Sequence, residues 1–195
     1  MKKLKLIAIS IFISLAITGC FGDKKTVVGQ EFGDYSFINE KFAGNKIAFS
    51  ELPKNLCSFI NENKLRELYP SASKILFDDG KTFQSKSCRF LIYMGEQEYD
   101  YLGGTIFAQE DVLAEGEDWR ETWELKKKAS KSAEYILGLG KTAIWIERKR
   151  ELIVKMDNYS ITITVPGSAF KEEEVAKKRN YKNIALEIAK STNLF

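Results

Sequence analysis

Three cysteines, no histidine and a few adjacent charged pairs bound the chemistry open to this chain of 195 residues. Without histidine, neither a Ser-His nor a Cys-His nucleophile pair can be assembled. Hydrolysis would then need a carboxylate pair or a Ser-Lys arrangement. Asp78 with Asp79, and Glu110 with Asp111, are adjacent carboxylates. Neighbours in a loop or helix point in different directions, so both pairs read as solvated. Asp78-Asp79-Gly80 invites a calcium site but lacks the spaced ligands of a calcium loop. Gly140-Lys141-Thr142 invites a phosphate loop. Tyr135 stands where that motif needs its first glycine, and the stretch after Thr142 reads as strand where the motif needs a helix. Arg148-Lys149-Arg150 reads as a soluble hairpin tip that also discourages edge pairing.

The elements that must position these residues begin after an address. Lys2, Lys3 and Lys5 precede an apolar run from Leu6 to Ile17, too short to span about 30 Å of hydrocarbon and suited to an export signal over residues 1–19. Its end, Ile17-Thr18-Gly19-Cys20, resembles the lipobox of bacterial lipoproteins. The resemblance implies that Cys20 becomes the first residue, carrying a thioether-linked diacylglycerol and usually an acylated amine. The competing reading is an ordinary secretory signal with a chance cysteine at its cleavage site. Two or three acyl chains, at about 0.8 kcal/mol per buried methylene, would anchor the protein firmly to a membrane. Phe21 follows the cysteine where an aspartate would, in enteric bacteria, favour the inner membrane. The expected location is therefore the cell envelope: the outer membrane, facing periplasm or surface, in a Gram-negative host, and otherwise the outer face of the cytoplasmic membrane.

The chain carries 30 basic and 27 acidic residues, and three of the lysines lie in the export signal, leaving 27 of each sign. A formally neutral mature chain gives no support for a nucleic-acid partner. With Cys20 given to lipid, Cys57 and Cys88 are the remaining thiols in a chain sent to an oxidising compartment, and they are expected to pair. Closing that loop of about 30 residues restricts the unfolded chain by roughly 3.5 kcal/mol on the entropic account. A metal site is the competing reading, against which stand the missing histidines and the lack of CxxC spacing.

Residues 20–50 read as a lipidated tether and an arm laid over the domain, and residues 51–195 as one α+β domain. Pro53 opens a helical stretch through Leu56–Ile60, and Asn61 caps a second turn running through Leu65 and Leu68 to Tyr69. A short strand is expected at Ile75–Phe77. Cys88, Phe90, Ile92 and Met94 alternate as a strand would, and Leu102–Gln109 returns as its hairpin partner. Glu110 to about Lys131 is acidic first and basic last, an order that complements a helix dipole. Trp119 and Trp123 lie one turn apart with Val112 on the same face, so both indoles are expected against the sheet. Gly138-Leu139-Gly140 should break that helix. Strands follow at Lys141–Glu147, Glu151–Met156 and Tyr159–Val165, the last two joined at Asp157-Asn158. Pro166-Gly167 should end the sheet and Ser168 cap a final helix carrying Val175, Tyr181, Ile184, Ala185, Ile188 and Ala189. This order predicts an antiparallel sheet of about five strands with three helices packed mainly on one face.

The segment Leu137-Gly138-Leu139-Gly140-Lys141-Thr142-Ala143-Ile144-Trp145, followed by two short strands and a terminal helix, resembles a segment of several actinobacterial lipoproteins and related extracellular sensor domains. Those families also place one cysteine before a helix and another at the head of a strand, as Cys57 and Cys88 stand here. The resemblance implies a fold and a location rather than a reaction. The function expected is a lipid-anchored envelope protein acting as a non-catalytic binding module, such as an inhibitor, immunity or exclusion factor, sensor or envelope-complex subunit. Its partners would be the membrane, through Cys20, and an envelope or secreted protein, with no cofactor or metal. Tyr99, Tyr101, Arg148, Lys149 and Arg150 are the expected partner-binding residues, because interface energy concentrates in Tyr, Trp and Arg anchors. The alternative is a carboxylate-dependent envelope hydrolase. An exposed apolar patch would favour the first, and two carboxylates about 5 to 10 Å apart across a deep cleft the second.

Overall fold

The computed structural model describes residues 35–78, 86–112, 118–167 and 179–195, which leaves Cys20, Asp79, Gly80, Ser168 and Val175 outside the described residues. Residues Tyr35–Phe195 form one compact unit. Its strands are β1 (Lys74–Asp78), β2 (Lys86–Tyr93), β3 (Tyr101–Glu110), β4 (Ala133–Ile136), β5 (Thr142–Ile146), β6 (Glu151–Lys155) and β7 (Tyr159–Gly167). They build a wholly antiparallel sheet in the order β1-β2-β3-β7-β6-β5-β4. The helices are α1 (Glu62–Leu68), α2 (Trp119–Lys128) and α3 (Tyr181–Ser191). Each begins at a polar residue whose side chain accepts from a backbone amide of the first turn: Asn61, Asp118 and Asn180.

Period-two alternation sorts every strand into two faces. Cys88, Phe90 and Ile92 of β2, Ile106 of β3, Ile161 and Ile163 of β7, Leu152 and Val154 of β6 and Trp145 of β5 belong to the main core. Leu65 and Tyr69 from the α1 segment and Ile184, Ala185, Ile188 and Ala189 from α3 close over them. On the opposite face a second, smaller core forms from Ile144, Ile146, Trp123 and Phe37, with Trp119, Tyr135 and Ile153 beside it. The five residues of β5 are all buried, because helices cover that strand from both sides.

Several expectations change here. The sheet has seven strands rather than about five, the addition being β4 together with a fully formed β1. Of the described helices, α1 and α3 share one face, whereas α2 lies on the other. The helix expected from Glu110 is α2, beginning at Trp119; Glu110 ends β3, and Val112 is 90 % exposed instead of packing with the indoles. Gly138-Leu139-Gly140 turns β4 into β5 rather than breaking a helix. Gly140 has φ +58, and a Cβ there would meet Val154 Cγ1 at 2.5 Å and the Lys155 carbonyl oxygen at 2.6 Å, so glycine is required on two counts. β7 continues through Pro166-Gly167. The register against β3 shifts between Gly103 and Thr105, and the bulge houses a proline with no amide to pair.

Cys57, in a 3-10 turn, is bonded to Cys88 in β2 (S–S 2.04 Å, Cα–Cα 4.8 Å). The link fastens the segment leading into α1 to the sheet, beside the parallel bridge of Asn55 to Ser87.

Candidate functional site

Register brings the expected partner-binding residues to one end of the sheet. Tyr101 opens β3 opposite Tyr93, the last residue of β2, with their rings 5.7 Å apart, and Tyr99 in the preceding turn is 75 % exposed. The β5–β6 turn lies at the same end, since Glu151 faces Thr164 of β7 and Gly103 faces Gly167. Of its basic residues, Arg148 and Lys149 are exposed. Arg150 is not a solvated tip residue. It adopts the left-handed conformation (φ 56), its guanidinium lies 5.5 Å from the Tyr181 ring centre, and a Cβ at Gly167 would collide with it. Arg150 therefore joins the turn to α3 and β7.

From this end extends a sheet face that no helix among the described residues covers. Leu76 of β1, Arg89, Leu91 and Tyr93 of β2, Tyr101, Thr105 and Phe107 of β3 and Thr162 and Thr164 of β7 alternate with core residues and point away from α1 and α3. All are at least partly exposed, Leu76 at 38 %. The second core over β4 to β6 does not include them. Gly103 sits among them with only Leu91 Cδ2, 4.0 Å away, near where its Cβ would be, which leaves a shallow dip beside Tyr101.

The other end of the sheet holds a cleft of about 170 Å³ between α2 and the ends of β3, β6 and β7. Lys155, 2 % exposed, places its ammonium 2.6 Å from Asp111 Oδ2 and donates to the carbonyls of Met156 (3.0 Å) and Asp157 (2.7 Å). Ser160 Oγ donates to Asp111 Oδ1 at 3.0 Å. The Glu110-Asp111 pair is thus not jointly solvated: Asp111 is the counter-ion of a buried lysine, and Glu110 alone is exposed. The Trp119 ring centre lies 5.6 Å from the Lys155 ammonium and 5.1 Å from that of Lys141, which also pairs with Asp157 at 3.5 Å. Lys126 holds its ammonium 5.0 Å from the Trp123 ring centre. Burial is the main cause that pulls the Lys126 pKa below the usual lysine value; Asp111 opposes the shift and Lys155 adds to it.

No family model, curated protein or solved structure matches the chain. Among the described residues, no group of three or more Cys, Asp or Glu could hold a metal ion, and of the Asp78-Asp79-Gly80 stretch only Asp78 lies within them. The chain from Ile153 to Met156 gave one sign of the cleft, a lysine at an alternating strand position, but that residue type is ordinarily read as solvent-facing.

Proposed function

We propose that this protein is a lipid-anchored envelope protein that acts as a non-catalytic binding module, and that its contact surface is the face of β1, β2, β3 and β7 opposite α1 and α3. The observation that carries the reading is that face, where Leu76, Leu91, Tyr93, Tyr101 and Phe107 stand together on a rigid sheet with Arg89 and Tyr99 beside them. Apolar and aromatic residues gathered beside polar ones on the surface of a folded domain mark interaction sites. A sheet face costs little ordering on binding, because the backbone is fixed by its ladders. The lipobox resemblance at Ile17–Cys20 supports the anchor, and the Cys57–Cys88 bond accords with an oxidising compartment. The partner suited to this face is a protein, envelope-bound or secreted.

Photo-crosslinking in the native host tests the reading. A benzoylphenylalanine at position 91, 101 or 107 is expected to trap one partner, whereas the same group at Lys190, on the solvent side of α3, is not. The partner, purified, should then bind the wild-type protein and lose at least tenfold in affinity to Leu91→Arg, the scale of an interface anchor. Equal crosslinking from both surfaces, or unchanged affinity of a folded Leu91→Arg variant, would remove the basis for this surface.

A further inference from the structure

We propose that the cleft beneath α2 is a binding site for a small organic monoanion, a carboxylate with a flat or apolar body, held by the Lys126 ammonium against the Trp119 and Trp123 indoles. This site lies at the opposite end of the sheet from Tyr99 and Tyr101 and does not depend on the docking face. Lys126 is half-buried, and no hydrogen bond or ion pair satisfies its ammonium among the described residues; its described contact is the Trp123 ring. An ammonium taken partly out of water is stabilised by a counter-charge. Asp111, the nearest buried carboxylate, is already engaged by Lys155 and Ser160. No other carboxylate among the described residues pairs with Lys126, and in this proposal a ligand supplies that charge.

The walls define what else that ligand carries. The half-buried Trp119 indole offers flat apolar surface, Trp123, itself 2 % exposed, lies behind the Lys126 ammonium, and Gln109, Thr122 and Ser160 add polar groups to the lining. A cation is disfavoured by Lys126, Lys141 and Lys155 around the same indoles. A dianion such as phosphate is disfavoured by Asp111 in the wall and exposed Glu110 at the rim, and it would leave the indoles uncovered. At about 170 Å³ the cleft is smaller than the roughly 300–1,000 Å³ of pockets for drug-sized ligands, so the guest is small. Burial lowers the Lys126 pKa while Asp111 opposes that shift, and an anion bound beside the ammonium would act in the same direction as Asp111.

The indoles themselves report occupancy, because Trp145 belongs to the main core on the other face of the sheet. The test uses the full chain in a neutral detergent, titrated with benzoate, phenylacetate and hexanoate and followed by tryptophan fluorescence and calorimetry. Benzamide and inorganic phosphate are the comparison probes. At least one carboxylate is expected to bind saturably, with benzamide and phosphate weaker by about tenfold or more, the scale of a hydrogen bond to a charged group. Lys126→Met should weaken the carboxylate by a similar factor and Lys126→Arg should restore most of it. Trp119→Phe should diminish the fluorescence change. Lys126→Met removes a charge that has no ion-pair partner among the described residues, so its fold is expected to persist, checked by its melting temperature. No saturable carboxylate binding, benzamide binding as tightly as benzoate, or full affinity in folded Lys126→Met would each overturn the proposal.

Discussion

Replacing Asp111 by alanine should destabilise this protein far more than an end-of-strand carboxylate ordinarily would. Lys155 is 2 % exposed, and its ammonium has one carboxylate at 2.6 Å and two backbone carbonyls at 3.0 and 2.7 Å. Removing the carboxylate leaves a buried charge with neutral acceptors only, and breaking such a pair costs about 3–5 kcal/mol. The Ser160 hydroxyl also loses its acceptor, a further loss of about 1 kcal/mol. The two carbonyls that remain soften the result, so the lower part of that range, about 3 kcal/mol, is the expected cost. For a domain of this size that corresponds to a fall in melting temperature of about 6–12 °C. Urea unfolding of wild type, Asp111→Ala, Lys155→Met and the double variant measures it. The double variant should recover most of the loss, because removing both charges avoids the stranded ammonium. A single-variant cost under about 1 kcal/mol, or a double variant no better than Asp111→Ala, would refute the reasoning.

The remaining predictions concern the anchor, the disulfide, the cleft and the glycine turn. Metabolic labelling with a clickable fatty acid should mark the wild-type protein and not Cys20→Ser; equal labelling would count against the lipid. Alkylation and intact mass spectrometry of non-reduced protein should find Cys57 and Cys88 unmodified, and reduction should lower stability by roughly 3.5 kcal/mol for a bond spanning 31 residues. The Lys126 pKa is lowered in the folded state, so the unfolded chain binds more protons there as pH rises toward the 10.5 of an ordinary lysine. Its contribution to stability therefore grows over that approach, and urea unfolding from pH 8 to 10 should show a rise in wild type that is reduced in Lys126→Met. Gly140→Ala should cost about 1 kcal/mol or more in thermal unfolding, since it combines positive φ with close backbone approach.

Where one side of a strand is buried and the other is not, the sequence was readable. β2, β3, β6 and β7 show the alternation directly, and Asn61 at the head of α1 carries its own cap signal. β4 was hidden because it is short and reverses the expected polarity: Glu134 points toward α3, where it pairs with Lys182 at 3.0 Å, while Tyr135 stacks on Phe37 with ring centres 4.5 Å apart. Helical composition after Glu110 ran together with the end of β3, since acidic residues suit both a strand end and a helix start. The aromatic half of the expected surface was legible from Tyr99 and Tyr101, whereas its breadth depends on how β1, β2, β3 and β7 lie side by side. The cleft left only one sign in the sequence, Lys155 at an alternating strand position. Asp111 and Lys155 meet through the β3–β7 and β6–β7 pairings, and each residue alone looks solvated.

The strand order carries a kinetic consequence. Every neighbouring pair in the sheet is joined by sequence-adjacent strands except one, β3 with β7, so the sheet consists of two meanders meeting at a single seam. Each meander can form from local contacts, which close quickly, while the seam must bring together segments separated by the whole of α2, β4, β5 and β6. Cys57 and Cys88 both fall in or before the first meander. A chain emerging amino end first therefore presents both thiols, and the strands that align them, before the second meander has appeared. Oxidation at that moment would lock the first half early and leave docking of β7 onto β3 as the slow closing step of folding.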